Sequence, residues 1–139
     1  MSTIKRVRVE PLSTYLERYR KGKAVNPVSV ANGFVYVSGM PPFDPATGEI
    51  TRQPFETQAV RIMDQLKLAL EAAGSSLKHV VKCNVYCAPS NAEGENHFAT
   101  FNAVYDRYFP DEPPSRIFMY IHSWPGPFDI EIDCVAVVK

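Results

Sequence analysis

The chain has 139 residues, a mass of 15.6 kDa, 45% hydrophobic and 22% charged residues, and equal totals of 15 basic and 15 acidic side chains. That size allows one domain with a proper core and excludes two of ordinary size. The composition is that of a globular protein, and no apolar run approaches the ~20 residues of a membrane span. A formal net charge of zero supplies no global field for nucleic acid.

From the start, Ile4 to Val9 alternates basic and apolar residues and predicts an edge strand whose charged side discourages further pairing. Pro11 ends it, and Ser13 or Thr14 caps a short helix through Tyr19, with Leu12, Tyr15, Leu16 and Tyr19 at helical spacing. Lys5, Arg6, Arg8, Arg18, Arg20, Lys21 and Lys23 crowd this segment and read as a solvated face. No apolar h-region follows the basic start, so no secretory signal is read and a cytoplasmic location is expected. Val25 to Gly39 then reads as strand, Asn32–Gly33 turn, strand, a strong hairpin signal. Pro41, Pro42, Pro45 and Gly48 make a rigid loop.

Pro54 opens a helix whose stripe of Phe55, Ala59, Ile62, Met63, Leu66, Leu70 and Ala73 stops at Gly74. Val80 to Cys87 predicts a strand, and a polar loop from Asn91 to His97 leads into a helix lined by Phe98, Phe101, Tyr105, Tyr108 and Phe109. Cys83 and Cys87, four apart on one strand, lie roughly 13 Å apart, beyond disulfide reach. With Cys134 they read as reduced, structural thiols. His79, His97 and His122 are scattered, with no metal-ligand spacing, so no metal site is expected.

Two strands finish the chain, Ile117 to His122 and Phe128 to Val137. Period-two alternation puts Ile117, Met119 and Ile121 on one face of the first, and Ile130, Ile132, Cys134 and Ala136 on one face of the second. These apolar sides are assigned to the core. The opposite faces then carry Arg116, Phe118 and Tyr120 beside Asp129, Glu131 and Asp133, a surface too apolar to face plain water uncovered. The order β–β–α–β–α–β after the N-terminal segment leaves two helices for one sheet face and a second copy of the chain as cover for the other.

Several of these segments resemble the YjgF/RidA enamine/imine deaminases: Ser38–Gly39 at a strand end, the 42–49 Pro-Phe-Asp-Pro-Ala-Thr-Gly-Glu loop, the 72–77 Ala-Ala-Gly-Ser-Ser-Leu segment, and the 98–105 helix start. So do Tyr108–Phe109–Pro110, Pro113–Pro114–Ser115–Arg116 and Ile130–Glu131–Ile132, in order from about Val35 to the C-terminus. The resemblance implies an α+β, chorismate-mutase-like fold, a mixed β-sheet with two helices packed on one face. It implies one domain over residues 1–139, with a divergent strand-helix segment over about 1–24, and a homotrimer with clefts between subunits.

Within that resemblance Arg116 matches the arginine that grips the carboxylate of an imino acid, a task for which a planar, permanently charged fork is suited. Glu131 matches the glutamate that holds or activates the attacking water. Ser38, Gly39 and Asn102 match residues that contribute to the cleft. The implied activity is hydrolysis of a carboxylate-bearing enamine or imine to keto acid and ammonia, with no cofactor. A non-catalytic metabolite- or partner-binding trimer of the same fold is the alternative. Ribonuclease or translation-inhibitor activity, reported for parts of the family, is opposed by the neutral charge.

The chain departs from the family pattern at four places. Val25 and its neighbours stand where most members carry Gly-Pro-Tyr, and Met40 where they carry Gln. Ile117 and Phe118 stand where Ser or Thr and then Cys or Thr follow the arginine. Phe118 shares a strand face with Arg116, and Met40 is a flexible apolar side chain. Both are expected to line the cleft and to favour an imine with an apolar or conjugated side chain.

Overall fold

Six strands form one sheet in the order β1-β2-β3-β6-β4-β5. A computed structural model of the chain describes residues 3–139; Met1 and Ser2 of the N-terminal segment lie outside the described residues. The elements are β1 (Lys5–Val7), α1 (Leu12–Tyr19), β2 (Val28–Ala31), β3 (Phe34–Val37), α2 (Phe55–Ala72), β4 (Val80–Cys87), α3 (His97–Tyr108), β5 (Ser115–Tyr120) and β6 (Ile130–Val137). Every neighbouring pair is antiparallel except β4 and β5, which run parallel. Among the described residues no helix is long and apolar enough to cross a membrane.

Local chemistry explains the boundaries. Asn32 and Gly33 both take positive φ, 51° and 80°, the pair of left-handed residues that a two-residue hairpin turn requires, and they join Ala31 to Phe34. At the end of α2, Gly74 is left-handed and the Ser75 amide donates to the Leu70 carbonyl, closing the helix with a backbone cap. Ser75 Oγ then donates to Val137 O at 2.7 Å, which ties that helix end to the end of β6. Asn96 caps α3, its side chain accepting from the Ala99 amide at 3.0 Å. The cap expected at Ser13 or Thr14 of α1 takes another form. The helix already begins at Leu12, and Ser13 Oγ accepts from the Val9 amide at 2.8 Å, bonding back to the chain entering the helix.

Helices α2 and α3 pack against each other over one sheet face, with Ala59, Ile62, Met63 and Leu66 of α2 and Phe101, Val104 and Tyr105 of α3 meeting Val35, Val37, Val85, Ile132 and Cys134. Helix α1 is a third helix in the same apolar cluster, seated on the proline loop. Its Tyr15 packs on Phe43 and donates its hydroxyl hydrogen to Pro45 O at 3.0 Å. Two buried glutamines of α2 hold the loops at the sheet ends. Gln65 accepts from the Phe43 amide and donates to Pro41 O, and Gln58 accepts from the Asp129 amide. A buried amide with both ends satisfied fixes backbone at little net cost, and losing one partner strands the other.

Strand β5 corrects one expectation. Cα pairing sets Cys83 beside Arg116 and Val85 beside Phe118, and Cys83 and Val85 are fully buried under the helices. Arg116 and Phe118 therefore face the helices, and Ile117 and Met119 face the uncovered side, 43% and 44% exposed. Alternation fixes which residues share a face, whereas the choice of face follows from pairing with β4. The aromatic side of α3 receives an arginine and a phenylalanine here, not aliphatic side chains. On β6 the expected parity holds, with Ile130, Ile132, Cys134 and Ala136 buried.

Candidate active site

Two candidate half-sites emerge, one on each face of the sheet. The first is built around Glu131 on the uncovered face. Strand β3 ends at Val37, and the chain runs through Ser38 and Gly39 alongside β6. A Cβ on Gly39 would lie 2.7 Å from Glu131 Oε1, so only glycine lets the carboxyl sit against this backbone without displacement. An open depression of about 530 Å³ surrounds the pair, lined also by Ser38, Tyr36, Tyr86 and Trp124.

Burial pushes the Glu131 carboxyl up to about 7, and the neighbouring Asp133 charge adds to the rise. Asp133 is itself held by Asn84, whose side-chain amide donates to it at 2.6 Å. Among the described residues no hydrogen bond or ion pair reaches the Glu131 carboxyl. An acid that titrates near neutrality, without a committed partner, is equipped to take and return protons.

The second half-site is built around Arg116 on the helix face. Its guanidinium carbon lies 4.8 Å from the Tyr105 ring centroid, 5.7 Å from Phe101 and 5.8 Å from Phe118. Three π-faces hold the cation where an acidic side chain would ordinarily do so. Among the described residues no carboxylate pairs with it, because Asp129, Glu131 and Asp133 belong to other surfaces. An ion pair of Arg116 with Glu131 or Asp133 is thus ruled out within one chain. On α3, Asn102 sits one turn before Tyr105, and its Oδ1 is buried with no hydrogen-bond partner. The donors of Arg116 and this acceptor remain available to a ligand.

Parity shows why the halves do not meet in a single chain. Arg116 pairs with Cys83, which pairs with Cys134, so all three share the helix face; Glu131, three residues before Cys134, faces the other way. The expectation of a shared surface for the cation and the carboxylates is corrected accordingly.

Of the other expected site residues, Ser38 is exposed at the rim of the Glu131 depression and Phe118 is half-buried beside Arg116. Met40 does not line a cleft. It is 3% exposed and packs with Ile62, Leu66 and Ile132, because the chain turns inward after Gly39. Tyr105 and Phe101, which grip Arg116, were visible in the sequence only as an aromatic helix stripe. Trp124 and Tyr86 gave no signal at all.

Cys83 and Cys87 are buried, which pushes both thiols up to about 12; Cys134 is raised further in the same way. All three stay protonated and unreactive as nucleophiles at neutral pH. His97 is likewise structural, stacked at 3.8 Å on Phe55 and donating Nδ1–H to Ala88 O at 2.8 Å. Among the described residues no three His, Cys, Asp or Glu side chains are grouped to hold a metal ion.

Residues 17–138 match the family model described as Endoribonuclease L-PSP. The chain belongs to the YjgF/RidA family. A RutC family protein of Pyrococcus abyssi is 36% identical over 117 residues, covering 82% of this chain and 88% of the relative. Among solved structures, RidA from an Antarctic Psychrobacter species superposes with a TM-score of 0.74 at 29% identity, covering 84% of this chain and 89% of that one. Escherichia coli TdcF, solved with bound serine, gives 0.73 at 28% identity, covering 84% and 90%. The YjgF/RidA match thus spans both half-sites, from the hairpin that carries Gly39 to the strand that carries Glu131.

Proposed function

We propose that this chain is a hydrolytic deaminase of carboxylate-bearing enamines or imines, working as a homotrimer whose clefts join Arg116 of one subunit to the partner subunit's Glu131. The observation that carries the reading is an arginine without an acidic partner on one sheet face and an acid poised near pH 7 on the other. The uncovered face supports the assembly. On β3 Tyr36 is 48% exposed there, on β5 Ile117 and Met119 are exposed too, and large apolar side chains left uncovered across a sheet face mark association surfaces. Bound serine in TdcF, an amino acid with a carboxylate, supports the ligand class.

In the reaction, the Arg116 fork holds the substrate carboxylate in two parallel hydrogen bonds. Water adds to the carbon of the C=N bond while the Glu131 carboxylate takes its proton, and the protonated Glu131 returns that proton to nitrogen. Collapse of the adduct passes the hydroxyl proton through Glu131 to nitrogen as the C–N bond breaks, releasing ammonia and leaving the keto acid. Water and the substrate supply every atom of the products.

The test generates imines in situ with an amino-acid oxidase and follows the accelerated release of ammonia. Acceleration that depends on both Arg116 and Glu131 is the expected result. Keto-acid binding with no acceleration would establish a binding trimer instead, and RNA cleavage surviving stringent purification would point to a nuclease. Light scattering is expected to give three times the chain mass; a monomer at micromolar concentration would overturn the shared cleft.

A further inference from the structure

Outward from Arg116 the covered face continues into a ledge of three rings. Phe118 lies two residues along β5, roughly 7 Å from Arg116 at strand rise. Its ring meets Phe98 of α3 edge-on at 4.9 Å and Tyr120 edge-on at 5.4 Å. Phe98 is 43% and Tyr120 49% exposed. The Tyr120 hydroxyl accepts from the Phe98 amide at 3.3 Å, which pins the first turn of α3 to the end of β5. The ledge is therefore fixed in place by ring contacts and one hydrogen bond.

We infer that Phe98, Phe118 and Tyr120 form a subsite for a planar apolar side chain, so that the substrates are aromatic or conjugated 2-imino acids. This rests on the deaminase reading for the reacting group and adds the identity of the group beyond it. A carboxylate bound at Arg116 has the reacting carbon next to it and the side chain one further atom away. The Phe118 ring centroid lies 5.8 Å from the Arg116 guanidinium carbon, so a ring carried by that side chain comes up against the ledge. Aromatic rings meet such a surface edge-to-face or offset, and they gain beyond plain area burial by doing so. A methyl side chain ends short of the ledge and leaves its rings in contact with water. Discrimination built from apolar contact is graded, on the order of 10–200-fold per group. The imine of phenylalanine should accordingly exceed that of alanine by about ten- to a hundredfold in kcat/KM.

Two measurements on the full chain test this. In the first, calorimetry compares phenylpyruvate with pyruvate as ligands of the unaltered protein, a readout that needs no turnover. Tighter binding of phenylpyruvate by tenfold or more is expected. Equal or weaker binding would overturn the subsite, because it would mean that a neighbouring subunit covers the ledge. In the second, Phe98→Ser, which removes a ring that does not touch Arg116, is compared with the unaltered protein on phenylalanine and alanine imines. The ratio of the two kcat/KM values is expected to fall several-fold; an unchanged ratio would refute the assignment. If neither imine is hydrolysed faster than in buffer, the deaminase reading fails, and the phenylpyruvate-to-pyruvate binding ratio alone decides the ledge.

Discussion

The two faces of the sheet handle charge in opposite ways. Under the helices, Arg116 is stabilised without any acid, by three aromatic rings that raise no competing charge. On the uncovered face, Glu131 has neither cation nor donor among the described residues, and burial beside Asp133 drives it toward the neutral form. An arginine in an aromatic cage keeps its donors for an incoming anion. A crowded acid is charged only part of the time and keeps its proton mobile. Under the proposed reaction one face holds the substrate and the other exchanges protons.

The sharpest way to break this contrast is Glu131→Gln, which keeps the shape and removes the proton acceptor. Turnover of in situ imines is expected to fall by about 10²–10⁴-fold, with keto-acid binding largely kept. Unchanged turnover would reduce Glu131 to packing. Arg116→Lys should act on binding, since an ammonium is a point charge and cannot reproduce the fork. The dissociation constant of a keto acid, read by calorimetry, should rise on the order of a hundredfold, as loss of a charge-assisted contact worth a few kcal/mol implies.

A third experiment reads the cost of Glu131 to folding. A carboxyl whose folded pKa lies near 7, above the ordinary value of 4.5, is penalised when ionised. Stability should therefore decline as pH rises from about 4.5 to about 7, and the penalty is complete above that. Glu131→Gln is expected to stabilise the chain by about 1–2 kcal/mol at pH 8, after allowance for solvent screening, and by progressively less toward pH 4.5. Denaturant titrations at both pH values check the sign; equal gains at the two would separate the effect from ionisation.

The smallest effect is expected from Gly39→Ala. The added methyl group meets the far end of the Glu131 side chain, which can swing aside. A loss of about tenfold in kcat with a nearly unchanged KM would show that Gly39 positions the acid. The ascending limb of the pH–rate profile should move from its place near pH 7 as the carboxyl becomes more solvated.

Local sequence determined much of this molecule. Asn32–Gly33 fixed the hairpin because only that kind of pair accepts two left-handed residues in succession, and Gly74 ended α2 for a related reason. The stripe of α2 announced its buried face, the parity of β6 put Glu131 opposite the core, and motifs along the chain declared the family. Tertiary structure alone decided the rest. Alternation along β5 said that Arg116, Phe118 and Tyr120 share a side, and said nothing of which side. A strand's period of two is blind to inversion until a neighbour sets the register. Parallel pairing of Arg116 with the buried Cys83 made that choice, and it put the cation beneath Tyr105, with the aliphatic residues left uncovered. Met40 went into the core for a similar reason, because the Pro41–Phe43 backbone is anchored to Gln65, a partner 22–24 residues away that no local pattern can indicate.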